Sequence, residues 1–288
     1  MRARAPASSA NLGPGFDVLA IALDRYVQVE VVPAPALSVR STGEGADHSG
    51  DASHLAARVV ADVLGHDRFA VTVHSQIPVS RGLGSSAALA AAAAGAAGAD
   101  DPLAVAAAYD GHPENAAASV VGGLVAATMV ESKAVVAPLA LSEELAFVAV
   151  VPDRSLATSD ARRVLPESVS RVDATFNLGR MGLLLAGLAE PSVLTSAATG
   201  DRLHQDARTT LFPEAPALLA ALVEAGALAS CWSGAGPTLL GITTQTALAG
   251  VSDRVEGTLA SLGFSASVLR LQADRDGLVY GDAAELPA

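Results

Sequence analysis

One run constrains this chain more than any other feature: Pro78-Val79-Ser80-Arg81-Gly82-Leu83-Gly84-Ser85-Ser86-Ala87-Ala88. It follows residues 69–75, where apolar and polar residues alternate as in a half-buried strand. It opens onto residues 85–97, an alanine-rich stretch that reads as a helix starting at Gly84-Ser85-Ser86. A strand that turns through glycines into a helix gathers free backbone N–H groups at the helix N-terminus, where the dipole also favours negative charge. Glycines let that backbone come close to an anion. The serines supply hydroxyls that cap the helix or complete the coordination of a metal ion held against phosphate. Taken alone, the same run also describes an ordinary capped helix behind a glycine turn.

Lysine scarcity narrows the choice of phosphate loop. Lys133 is the only lysine, and it falls at an expected turn, Glu131-Ser132-Lys133, between apolar runs at 124–130 and 134–139. A P-loop needs a lysine inside its glycine run, and a protein kinase needs one on a strand of the V-A-I-K type. A dinucleotide fingerprint needs a third glycine where Ala87 stands. All three readings fall away.

The net charge of −12 and isoelectric point near 4.8 exclude a nucleic-acid or membrane-surface partner of the basic-stripe kind. They also mean that an anionic substrate must be held by a few cations, backbone amides and a divalent metal. With 288 residues, two α/β domains are expected, 1–143 and 144–288. The first half reads as strands at 26–32, 37–41 and 69–75, helices at 54–64 and 85–97, and a helix capped by Asp101-Pro102 that ends near Gly111. The second half opens with a strand at 145–151. Helices follow near 159–164, 169–188 and 216–225, then strands at 227–232 and 237–243, a helix near 252–262 and a strand at 265–271. The lone cysteine, Cys231, forms no internal disulfide and suits a reducing cytoplasm. No signal peptide fits ahead of the first motif at residue 5, and the alanine-glycine stretch 87–99 is too short and too weakly apolar to span a bilayer.

The run at 78–88 resembles the second motif of the GHMP kinases, named for galactokinase, homoserine kinase, mevalonate kinase and phosphomevalonate kinase. Ser233-Gly234-Ala235-Gly236-Pro237-Thr238 is similar to their third motif. Four further segments are similar to homoserine kinases in particular. They are residues 5–19, Gly111-His112-Pro113-Glu114-Asn115, residues 156–166, and Asp201-Arg202-Leu203-His204-Gln205-Asp206-Ala207-Arg208. The resemblance implies an N-terminal left-handed βαβ domain, a C-terminal ferredoxin-like domain, and ATP between them. It implies phosphorylation of homoserine, a step of threonine biosynthesis.

By the same resemblance Pro78, Gly82, Leu83, Gly84, Ser85, Ser86 and Ala87 bind ATP. Ser86 and Asp110 hold Mg2+, with Asp110 standing where relatives carry glutamate. Asn115 orients the acceptor hydroxyl. Glu114, where relatives usually have aspartate, is a base or a second orienting group. Asn11, Asp17, His112, Thr158, Arg162, His204, Arg208 and Gly234 form the substrate site.

Substrate chemistry agrees with that set, because a carboxylate suits the planar fork of Arg162 or Arg208, and an ammonium suits the oxygens of Asn11 and Asp17. Arg163, one residue along a helix from Arg162, should face away. Thr158 and Ser159 also read as helix caps, and His112 and His204 as groups that hold loops. A kinase for another hydroxyl acceptor, and a silent relative that binds without turnover, stay open, as does a homodimer.

Overall fold

The computed structural model describes residues 1–48, 50–131 and 133–281. Strand β1 (Arg2–Ala10) is buried along almost its whole length, so its small residues show no alternation that would betray a strand. It pairs antiparallel with β2 (Leu19–Pro33), and the register shifts between Pro6 and Ala7. Strand β3 (Ser38–Gly43), helix α1 (Leu55–Leu64) and strand β4 (Phe69–Ser75) follow, with β3 and β4 parallel and α1 crossing between them.

Helix α2 (Ser85–Ala97) starts and stops where the sequence places it. Its alanines are buried on every side, which lets it sit close to α1, β1 and β2 at once. Helix α3 (Pro102–Asp110) is capped by Asp101, whose carboxylate accepts the Ala104 N–H at 2.9 Å, and it ends at Gly111. Helix α4 (Pro113–Val121) stands where the sequence reading has a loop. Proline in the first turn and Gly122 at the end are the punctuation that marks it. Strands β5 (Leu124–Val130) and β6 (Lys133–Leu139) form the expected hairpin, with Val130 opposite Lys133. Ser132 in its turn lies outside the described residues.

The second sheet begins with β7 (Leu145–Pro152), buried throughout. Then come α5 (Thr158–Arg163), α6 (Arg171–Ala189), α7 (Gln205–Arg208), α8 (Ala215–Glu224), β8 (Ala229–Trp232), β9 (Leu239–Thr244), α9 (Leu248–Leu262) and β10 (Ala266–Leu271). The strand order β10-β7-β9-β8, all antiparallel, is that of a ferredoxin-like domain. Strand β11 (Val279–Gly281) then returns to pair with β1, so residues 279–281, expected in the second half, lie on the first sheet. Residues 282–288 lie outside the described residues. Among the described residues no helix is long and apolar enough to cross a membrane.

Candidate active site

The two glycine-rich turns meet where the two sheets come together. Gly84, the N-cap of α2, is left-handed (φ 66°) and carries no side chain. Neither Ser85 nor Ser86 therefore caps the helix, contrary to one reading of the sequence. The first in-helix bond is Ala88 N–H to Gly84 O at 3.0 Å, and the amides of residues 85–87 precede the ladder. Behind this turn Ser8 donates from N–H to Leu83 O at 3.1 Å and from Oγ to Asn115 Oδ1 at 2.9 Å. The third-motif turn backs onto Gly82, because Ser233 Oγ donates to Gly82 O at 2.6 Å and Thr238 N–H to Arg81 O at 3.2 Å. Arg81 pins the cradle to the end of β7 by bonds to Pro152 O at 2.9 Å and Asp153 O at 2.6 Å.

Opposite the cradle the loop after β1 is held in unusual backbone geometry, with Asn11, Leu12 and Asp17 all at positive φ. Both atoms of the Asn11 amide bond to the fold. Its Nδ2 donates to Gly234 O at 2.8 Å, and its Oδ1 accepts the Asp17 N–H at 3.0 Å. The side chain thus positions Asp17, and its oxygen, which has two lone pairs, keeps one beyond that bond while Asn11 lines the cleft. Arg162 grips Asp17 through two bonds, at 2.7 and 3.2 Å. Arg163 points outward to Asp160, its side chain 75% exposed, as the helical spacing requires.

Arg208 is 2% exposed and donates to Gly234 O and His204 Nδ1, both at 2.9 Å. Because Nδ1 accepts, the proton of His204 sits on Nε2 and is donated to Gly13 O at 2.8 Å. Burial holds the imidazole neutral, its pKa pushed down to about 4, and burial beside Arg162 lowers Arg208 to about 10. His204 is thus a support behind Arg208 rather than a substrate contact. His204→Ala should cost roughly 2–4 kcal/mol by leaving a cavity and an unpaired Gly13 carbonyl. Urea denaturation reads that loss, and unchanged stability would return His204 to the substrate.

The third wall is acidic. Asp110 ends α3 and Glu114 lies in the first turn of α4. Burial pushes Asp110 up to about 6 against the pull of Arg162. Burial also pushes Glu114 up to about 7, with Asp17 and Asp110 as like charges adding to it. Glu114 is 3% exposed and its Oε2 has no hydrogen-bond partner. His112 lies between them, Nδ1 3.1 Å from Asp110 O, its pKa lowered by burial. No cluster of three or more metal-binding side chains occurs among the described residues. Two raised carboxylates, one with an orphaned oxygen, and a serine hydroxyl are instead the oxygen donors a hard cation takes when phosphate and water complete its shell.

These walls enclose a cleft of about 310 Å³, lined by every site residue the sequence singled out except Ala87 and His204. Ala87 is fully buried beneath the turn. Thr158 opens α5 at the rim, where Ala157 is the N-cap, so neither Thr158 nor Ser159 caps the helix. Residues 52–123 match the model of the GHMP kinases N terminal domain, and residues 177–260 that of the GHMP kinases C terminal domain. The chain is 34% identical to homoserine kinase from Desulfitobacterium hafniense over 96% of this chain and 98% of that one. It is 40% identical to homoserine kinase from Rhodococcus opacus over 84% and 87%.

The chain belongs to the homoserine kinase family of GHMP kinases. The crystal structure of homoserine kinase from Cytophaga hutchinsonii superposes with a TM-score of 0.83 at 25% identity, covering 97% of this chain and 96% of that one. Within this GHMP kinase, Ser8, Arg81, Ser233 and Asp201 are supports that sequence reasoning passed over. Asp201 accepts from the N–H groups of His204 at 2.8 Å and Gln205 at 2.7 Å, and from Asn177 at 2.6 Å, fixing the turn that carries His204 and Arg208. An aspartate three residues before the N-cap of a short helical segment, His204, is the signal that marks it. Ser8 and Ser233 carry no comparable signal, being small residues whose partners are distant in sequence.

Proposed function

We propose that this kinase transfers the γ-phosphoryl group of ATP to the hydroxyl of L-homoserine, giving O-phospho-L-homoserine in threonine biosynthesis, with Mg2+ as the cation and the cytoplasm as its site. The observation that carries this is the convergence of the phosphate cradle and the Arg162–Asp17 pair on one cleft. Homoserine is a zwitterion, and that pair is its complement: the ammonium goes to Asp17 and the carboxylate to Arg162, in place of their mutual contact. Arg208, His112, Thr158 and the Gly234 turn complete the substrate side.

Phosphoryl transfer asks mainly for positioning and charge neutralisation. The free amides at 85–87 and the α2 dipole receive the phosphates, with Pro78 near the adenine. Ser86 and Asp110 would hold magnesium, and the orphaned Glu114 oxygen stands beside them. Bound there, the ion neutralises charge on the phosphate oxygens. Asn115 gives its Oδ1 to Ser8 and keeps its Nδ2 to orient the hydroxyl. Glu114, poised near neutrality by burial, takes the hydroxyl proton.

The test is ADP release with ATP, magnesium and a panel of homoserine, threonine, serine and mevalonate. Homoserine should be preferred. Preference for mevalonate, or no turnover of any member, overturns the proposal. Arg162→Ala should raise KM for homoserine roughly 30- to 100-fold, the worth of a charge-assisted fork, while KM for ATP stays within about twofold. Equal effects on both would remove the carboxylate assignment.

A further inference from the structure

Ser8 bonds to both halves of the phosphoryl transfer. Its backbone N–H donates to Leu83 O at 3.1 Å, in the turn whose amides receive the phosphates, and its hydroxyl donates to Asn115 Oδ1 at 2.9 Å, on the acceptor side. The residue is fully buried, and its Oγ fills the space that Gly84 leaves, where an added Cβ would overlap it. An amide presents an oxygen on one side and an NH2 group on the other, while a hydroxyl has a single proton to give. That proton, given to Oδ1, decides which atom of Asn115 is left for the cleft that the residue lines. Nδ2 is left, a donor. In the transfer the acceptor hydroxyl passes its proton to Glu114 and forms a bond to phosphorus with one lone pair, as the bond from phosphorus to ADP breaks. A donor at the second lone pair orients that oxygen. An Oδ1 facing it would compete with Glu114 for the proton.

Helix α4 is fastened to β1 at a second point. Ser119, one turn beyond Asn115, donates from Oγ to Pro6 O at 3.0 Å. Four residues of helix rise about 6 Å and two residues of strand about 6.6 Å, so the pairs Asn115–Ser8 and Ser119–Pro6 match in spacing. Ser119 is as fully buried as Ser8. The two bonds are alike in length and burial, but of the two α4 side chains only Asn115 lines the cleft.

We propose that Ser8 is a positioning residue for phosphoryl transfer, tying the phosphate turn to Asn115 and turning the Asn115 amide so that Nδ2 meets the acceptor hydroxyl. This rests on the assignment of Asn115 to that hydroxyl, and a cycle of variants separates the two. Ser8→Ala keeps the backbone bond to Leu83, so kcat should fall roughly 10- to 100-fold while KM for ATP and for homoserine each stay within about twofold. In an Asn115→Ala background the same change should slow turnover by no more than about twofold, because its effect passes through that amide. Ser119→Ala is the structural control, expected to lose as much in urea midpoint as Ser8→Ala with turnover near that of wild type. If Ser8→Ala does not fold, Ser8→Cys, with a weaker donor, takes its place in the cycle and should slow wild type but not Asn115→Ala. Normal turnover in Asn115→Ala overturns the reading of Asn115 and the proposal with it. The proposal alone is overturned if Asn115→Ala is slow and Ser8→Ala is not, if Ser8→Ala slows both backgrounds equally, or if Ser119→Ala slows turnover as much.

Discussion

Gly84→Ala is expected to lower phosphoryl transfer by roughly 100-fold or more, the cost of displacing reacting groups by about an ångström, in a protein that still folds. Gly84 sits at φ 66°, where a residue with a Cβ loses roughly 1–2 kcal/mol. The added Cβ would overlap Ser8 Oγ and lie 3.2 Å from Asn115 Oδ1. Either the amides of residues 85–87 move or Asn115 does, and each shift separates the phosphate from the hydroxyl. Gly98 at the other end of α2 is the control. Its φ of 79° is as demanding, but its Cβ would meet nothing within 4 Å. Gly98→Ala should therefore show the backbone cost alone, as a small loss in denaturation midpoint with near-normal turnover. Nucleotide affinity by calorimetry, beside kcat, separates the two variants. Equal turnover in both would show that the turn at Gly84 does not hold the phosphates.

The limits of α2 and α3 are legible in the sequence because glycine, aspartate and proline act locally. Gly84, Gly98, Asp101 and Gly111 punctuate these helices by backbone conformation and capping that need no distant partner. Strand β1 is illegible for the opposite reason. Buried along almost its whole length and paired in the sheet with β2, it has no alternation to read. Helix α4 carries proline and glycine at its ends as clearly as α3 does, but the weight given to its first residues as a binding loop hides it. The strand order of the second sheet follows from the resemblance, since periodicity says nothing about which strands become neighbours.

At the site, most of the residues that the sequence singles out line one cleft, but the sequence does not show how they pair. Asp17 and Arg162 each look like a group for the substrate, and only the fold shows each answering the other. His204 has the chemistry of a ligand, yet both ring nitrogens are already bonded, to Arg208 and to Gly13. Residue type and motif spacing are one-dimensional. Which polar group spends its hydrogen bonds on the protein is decided by contacts between residues as far apart as Asn11 and Gly234.

Glu114→Gln should lower kcat roughly 100- to 1,000-fold, the range of a general base, and remove the limb of the pH profile in which activity rises towards a plateau above about 7. That limb belongs to Glu114 because burial places its pKa near 7. Stability should move the other way. A carboxyl whose folded pKa lies above its unfolded value contributes most below the unfolded pKa, and the contribution is lost as pH rises through the folded one. Wild-type protein should therefore weaken as pH rises from about 4.5 through about 7, and Glu114→Gln should be firmer than wild type at pH 8 by roughly 1–3 kcal/mol. Asp110, raised to about 6, adds a loss of the same sign at lower pH, so the difference between the two proteins isolates Glu114. Magnesium with a nucleotide that is not turned over should favour both carboxylates in charged form. Its stabilisation of wild type, read as a thermal midpoint, should be larger at pH 8 than at pH 6, and the contrast should shrink in Glu114→Gln. If the variant keeps both its turnover and its rising limb, the carboxylate is not the base. Orientation of the hydroxyl by Asn115 would then be sufficient.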